Sequence, residues 1–206
     1  MAVKRLFAIL ILMIAATGLF ASSSEVYIRP SVLGMYETNV FAFPEAEMTS
    51  GGAFKRAGLG GYLTVDTFFS PDARTGLSFS ILYNHPLWSG SEAFDNDSTW
   101  VLSMDPTLSF AAGAMFRAQL GIVDLGLALR LSFSSIDLFQ ESLLMGLQVE
   151  PYVLVPLGSE HVMLNLGFVY DAHFYDFMLH DEEHYYRSGY FMLSFGGYIG
   201  LTCKIG

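Results

Sequence analysis

From about residue 25 onward, large apolar residues alternate with small, polar or charged ones at a period of two. A β-strand with two chemically different faces produces this pattern. The clearest case is Val123-Asp124-Leu125-Gly126-Leu127-Ala128-Leu129-Arg130-Leu131-Ser132-Phe133-Ser134, where every odd position is large and apolar. A helix would scatter Asp124, Arg130 and Ser134 around its circumference, whereas a strand sets all three on one side. The alternation recurs over 143–155, 162–174 and 191–204, and weaker versions cover 25–38, 58–69, 75–87 and 99–116. Eight strands are therefore predicted. Pro30, Pro106 and Pro151 each remove a ladder donor, so bulges or strand ends are expected beside them.

The predicted connections alternate in length. Short turns fall at 70–74, 117–121 and 156–160, and longer, more polar loops fall near 39–57, 88–98, 136–142 and 177–188. All long loops then lie at one end of the sheet, as in outer-membrane barrels with tight periplasmic turns and long outside loops. Both termini are expected in the periplasm.

Alternation alone also fits a soluble, periplasmic lipocalin-like binding protein whose apolar face points inward, so the other face decides. The water-facing wall of a soluble barrel is normally rich in Lys and Glu. Here only Lys55 and Lys204 follow residue 24, and the second face carries Gly, Ser, Thr, Asn, Gln, Tyr and isolated charges. That suits a narrow interior whose groups pair with one another. The fold expected is an all-β, eight-stranded antiparallel up-and-down transmembrane β-barrel with a polar, side-chain-filled lumen. Arg29, Asp66, Asp105, Asp124, Arg130, Glu150, Asp171, His173 and Lys204 are the lumen candidates. A charge and hydrogen-bond network should link some of them, because an isolated charge is costly in a low-dielectric interior. Aromatics near predicted strand ends, among them Phe68, Phe69, Tyr83, Trp88, Trp100, Phe133, Phe174 and Tyr190, suit interfacial girdles.

The N-terminus has a different composition. Lys4-Arg5, an apolar or small run from Leu6 to Phe20, and Ala21-Ser22-Ser23-Ser24 read as a secretory signal peptide cleaved after Ala21 or after Ser23. The division expected is 1–23 signal peptide and 24–206 barrel. The single cysteine, Cys203, stands far from the position a lipoprotein needs and allows no intramolecular disulfide.

A net charge of −10 and a pI near 4.7 argue against nucleic acid as a partner. Glu45, Glu47, Glu92, Asp95, Asp97, Asp176, Asp181, Glu182 and Glu183 make the long loops acidic, an electrostatic feature open to cations or a basic host or surface ligand. His180-Asp181-Glu182-Glu183-His184, with His173 and Asp176 upstream, gathers metal-ligand residue types without a recognised spacing, and reads as a solvated acidic loop. No cofactor or metal motif is present. Asp171 and His173 lie near several serines, but no nucleophile elbow or triad motif accompanies them, and the chain is not read as an enzyme.

Over about residues 24–206 the pattern, with its ending Gly196-Gly197-Tyr198-Ile199-Gly200-Leu201-Thr202-Cys203-Lys204-Ile205-Gly206, resembles the small outer-membrane barrels of the OmpA-transmembrane, OmpX and OmpW type. Many members of that group end in Phe or Tyr. The ending Lys204-Ile205-Gly206 departs from this and resembles spirochaete outer-membrane proteins. The resemblance implies outer-membrane lipid and the barrel-insertion machinery as partners. It also implies a structural or surface-interaction role through the loops, or a narrow channel for small or hydrophobic molecules through a sideways opening. An eight-stranded barrel is just wide enough for its own side chains, which disfavours a general water-filled pore.

Overall fold

The computed structural model describes residues 25–42, 51–70, 72–93, 106–135, 144–159, 161–176 and 190–205. The proposed signal peptide, Asp105 and the 180–184 acidic loop lie outside these residues. Eight strands follow in chain order: β1 (Glu25–Ala42), β2 (Gly51–Phe68), β3 (Thr75–Ala93), β4 (Thr107–Leu120), β5 (Val123–Ser135), β6 (Leu144–Ser159), β7 (Val162–Asp176) and β8 (Tyr190–Ile205). Each pairs antiparallel with its chain neighbours, and β8 returns to β1, so the sheet closes with no free edge between first and last strands.

The two-residue period maps directly onto inside and outside. In β5, Ala128, Arg130, Ser132 and Ser134 are buried while Leu127, Leu129, Leu131 and Phe133 are exposed. The same holds in β7, where Asn165, Asp171 and His173 are buried and Leu166, Phe168, Tyr170 and Phe174 are exposed. Water-soluble proteins bury the apolar face. This chain exposes it all round and buries Arg29, Arg56 and Arg130 completely.

Register sets which inward residues meet. A walk along paired residues from Arg56 on β2 passes Glu37, Ser194, Asp171, Gln148, Arg130, Gly113 and Ser78, and returns to β2 at Asp66. The displacement from residue 56 to residue 66 is a shear of 10, which tilts the strands by roughly 40°. A second row runs Gly126, Tyr152, Gly167, Tyr198, Leu33, Gly60 and Asn84. Small and large residues alternate over its first four positions: the Tyr152 ring lies over Gly126 and the Tyr198 hydroxyl over Gly167, in space a Cβ would fill.

Several boundaries differ from the sequence expectation, each for a backbone reason. Strand β4 starts at Thr107, directly after Pro106, and the earlier part of the expected strand, 99–105, lies outside the described residues. It continues through Arg117 because the β4–β5 turn needs only two residues: Gly121 takes φ +64° at its first central position, as in a type II′ hairpin. Strand β6 likewise runs to Ser159, with Gly158 at φ +84° absorbing a bulge beside Pro156. Strands β1, β2 and β3 extend into spans expected to be loop, since ladder bonds do not require apolar side chains. Pro86 is accommodated by a bulge opposite Ala57 and Gly58. At Pro30 and Pro151 there is no bulge; the β1–β8 and β6–β7 pairings skip these positions and resume beyond them.

Among the expected girdle residues, Phe69, Tyr83, Trp88, Phe133 and Phe174 face outward, whereas Phe68 turns into the barrel. The described residues do not include the side chains of Trp100 and Tyr190.

Placing a methyl group at Gly126 drives it into the Tyr152 ring, while at Gly61 it meets nothing. Gly126→Ala should lower stability by about 1–3 kcal/mol and Gly61→Ala should stay within about 0.5 kcal/mol of wild type. The urea midpoint of the refolded barrel, followed by its gel shift with and without boiling, measures both.

Candidate functional site in the lumen

Four charges from four strands meet at the centre of the barrel. Arg29 on β1 reaches Asp66 on β2 through Nε at 2.7 Å and Glu150 on β6 through Nη1 at 2.7 Å. Arg130 on β5 grips the other Glu150 oxygen at 2.5 Å and stands 3.9 Å from Asp66. None of the four side chains is exposed. Two cations and two anions cancel, so no net charge is buried here. Arrangements of this kind add little net stability, but removal of one partner leaves an uncompensated charge.

Neutral groups fill the remaining donor and acceptor positions. Tyr62 donates to Glu150 at 2.8 Å, and Tyr198 donates to the second Glu150 oxygen. Ser78 donates to Asp66 and accepts from Arg130 Nε at 2.9 Å. The Arg29 guanidinium lies 3.8 Å above the Tyr152 ring, which covers one face of the cation. Gln148 extends the network: its oxygen accepts from Arg130 and from Ser80, both at 2.8 Å, and its amide donates to Asp171 at 3.2 Å.

Toward the long-loop end, Ser132 donates to Asp171 at 2.6 Å, and His173 Nε2 lies 2.8 Å from the Ser134 hydroxyl. These are the types of a Ser-His-Asp relay, in which the acid and the serine occupy opposite ring nitrogens. In this barrel Asp171, at 3.4 Å, and Ser134 both approach Nε2, so no relay through the ring forms. The cluster is a hydrogen-bond network without a nucleophile–base–acid path.

Two smaller ion clusters close the ends. Glu37 pairs with Arg56 at 2.7 Å and both contact Thr107. At the short-turn end, Glu25 holds Arg117 at 2.8 Å and Lys204 at 2.7 Å, while Tyr27 and Phe68 pack edge to face beneath the Arg117 guanidinium.

Of the sequence candidates, Arg29, Asp66, Arg130 and Glu150 come into direct contact, and Asp171 and His173 join through Gln148 and Ser132. Lys204 belongs to the short-turn cluster, where Asp124 is half buried and senses Arg117 and Lys204 at longer range. Sequence reasoning missed Glu37, Arg56 and Arg117. Arg56 falls in the span 39–57 whose polarity predicts an outside loop, but its inward parity on β2 with Tyr62, Thr64 and Asp66 is the available signal.

No family model and no curated protein matches this chain. Solved structures do. Neisserial surface protein A is similar with a TM-score of 0.54 at 14% identity, over 87% of this chain and 97% of that one. The outer-membrane protein OprG of Pseudomonas aeruginosa aligns with a TM-score of 0.47 at 12% identity, over 89% and 96%. Ail, the attachment invasion locus protein of Yersinia pestis, aligns with a TM-score of 0.38 at 11% identity, over 87% and 99%. At such identities the likeness to the Neisserial protein establishes a shared eight-stranded barrel fold.

Glu150→Leu leaves two buried arginines sharing Asp66 and should destabilise the barrel by about 3–5 kcal/mol. Adding Arg130→Met restores one cation to one anion, Arg29 with Asp66, and should recover at least half of that loss. A double-mutant cycle on urea midpoints checks the non-additivity.

Proposed function

We propose that this chain is an integral outer-membrane barrel with a structural or surface-interaction role, a sealed anchor that displays acidic loops outside the cell. The observation that carries this reading is the Arg29–Asp66–Glu150–Arg130 cluster, which lies at the middle of the lumen with no solvent exposure. A water-filled path would have to pass through these side chains. Ion clusters on either side of it, around Glu37 and around Glu25, narrow the lumen again.

A band of outward residues such as Val32, Leu59, Leu129, Leu131, Phe168 and Ile199 supports contact with outer-membrane lipid. An eight-stranded barrel of this kind is assembled by the insertion machinery of that membrane, and its long loops would meet host or surface ligands. Of the twenty acidic residues, twelve fall in 43–50, 92–105, 136–143 and 176–189, where Arg187 is the only Lys or Arg. Such a surface favours basic partners in a salt-dependent way.

The narrow-channel alternative requires a sideways exit for an apolar cargo. A groove of about 830 Å³ does lie on the outer wall around Pro151, lined by Val32, Leu125, Phe168 and Ile199. On the lumen side its floor is Tyr152 and Tyr198, and behind them stand Arg29 and Glu150. A hydrophobic molecule would have to displace a paired charge cluster to pass. This geometry favours the sealed anchor.

Refolded in detergent, the mature chain should show heat-modifiable gel migration and a β-type circular dichroism spectrum, and should produce no steady conductance in planar bilayers. A reproducible ohmic conductance from the wild-type barrel would replace the anchor with the channel. Folding to a monodisperse state in plain buffer would replace it with a soluble binding protein.

A further inference from the structure

The strand glycines fall into two classes. At inward Gly58, Gly146 and Gly200 an added Cβ would collide with the backbone of a neighbouring strand, and at inward Gly126 and Gly167 with a tyrosine side chain. Outward Gly34, Gly61 and Gly197 are different. A Cβ at Gly34 would come no closer than 3.8 Å to Leu59, one at Gly197 no closer than 3.5 Å to Phe168, and one at Gly61 would meet nothing. None of the three has a positive φ. Neither packing nor backbone conformation within the barrel calls for glycine at these positions, although glycine weakens a strand. An absent side chain is of use where something outside the sheet comes close to its backbone.

Two of the three lie side by side. Gly34 pairs with Gly197 across β1–β8, where the last strand meets the first, and the row continues to Leu59 on β2 and Phe168 on β7. The next outward residues on the same two strands are bulky: Val32 and Ile199 toward the short turns, and Tyr36 and Phe195, with ring centroids 5.2 Å apart, toward the long loops. The pair is therefore the floor of a trough whose banks stand four residues apart along each strand, about 13 Å. The trough is one end of the groove of about 830 Å³ on the outer wall, which runs from Leu125 on β5 to Gly34 on β1. Four strand spacings separate those ends, about 19 Å.

The lining selects the occupant. It carries no charged side chain, and its hydroxyls belong to Tyr152 and Tyr198 on the floor, the second of which is donated to Glu150. A lipid headgroup or a peptide would leave polar groups unpaired there. A second copy of the barrel is convex and carries leucines and phenylalanines outward, so it would rest on the banks at Val32 and Phe168 without entering the trough. The groove is continuous with the outward wall of Leu129, Leu131 and Leu166, the surface that a membrane barrel turns to hydrocarbon. A long, narrow, apolar trough in that wall matches a chain of methylenes. We propose that the Gly34–Gly197 trough is a specific site for one acyl chain of a bilayer phospholipid, laid across the seam where β8 closes on β1. The site presupposes the membrane-embedded barrel proposed above.

The test places the refolded full barrel in liposomes containing a phosphatidylethanolamine with a diazirine halfway along one chain, and maps the adducts after irradiation and digestion. Adducts should concentrate several-fold on 32–36 and 195–199 relative to 127–131, an exposed apolar stretch outside the groove lining. Gly34→Ile and Gly197→Ile fill the trough where a Cβ has room, and should keep the heat-modifiable band while losing that concentration. Gly61→Ile, equally unobstructed but outside the lining, should keep both. If neither trough variant folds, the wild-type distribution alone decides. Even labelling of all outward strands, an unchanged pattern in the trough variants, or links between two barrels at 32–36 in place of lipid adducts overturn the site. A folded barrel with no adducts anywhere on its outer wall overturns the membrane-embedded reading as well, a result distinct from even labelling.

Discussion

Closure of eight strands at a shear of 10 is the constraint from which the interior follows. Once β8 pairs with β1, each inward residue has two cross-strand neighbours set by register and a limited set of partners across a narrow lumen. Arg56, Glu37, Ser194, Asp171, Gln148, Arg130, Ser78 and Asp66 are far apart in sequence, but they fall on one spiral row. Arg29 and Glu150 are 121 residues apart in sequence and bond across the space that this spiral encloses. A slip of one residue in any strand would turn its charges to lipid and its apolar face inward. The register is therefore specified on both surfaces of the sheet at once.

The rows also explain why the central ions can be so completely dry. Guanidinium groups are planar and demand several acceptors, and the lumen meets this demand with Glu150, Asp66, Ser78, Gln148 and the Tyr152 ring. Tyrosines reach the centre because Gly126 and Gly167 leave the wall thin beneath them. A larger residue at either glycine would push an aromatic ring into the ion cluster. Backbone spacing, ring packing and charge pairing are thus one problem with one solution.

Much of this architecture was legible in the sequence because the bilayer imposes a strict two-residue code. Strands β5 to β8 could be read to within a few residues, as could the division between exposed Leu127, Leu129 and Leu131 and buried Arg130 and Ser132. What could not be read depends on pairing between strands. Glu37 lies at the end of the predicted strand 25–38 and Arg56 in the span 39–57 expected to be loop, and only their register reveals an ion pair. Arg117 sits next to a turn whose brevity rests on the positive φ of Gly121. Phe68 has the composition of a girdle residue and the parity of a lumen residue, and parity prevailed, putting it under Arg117. Gln148 and the lumen tyrosines were visible as inward positions, but their role as bridges required the distances.

The distribution of charge links the interior to the outer surface. Six carboxylates and five cations are committed to the lumen and its mouths, so these regions contribute almost nothing to the net charge of −10. The acidic excess is carried by the spans between strands at the long-loop end. The central interior charges are held at contact distance, where salt screens them little. The described interior is therefore nearly neutral and built around the paired ions that fix the scaffold, and the negative charge of the sequence is concentrated in the spans outside it. The pairing of Arg29 and Arg130 with Asp66 and Glu150 leaves no net charge at the centre of the barrel, so the interior holds its strands together without setting up a field of one sign along its axis.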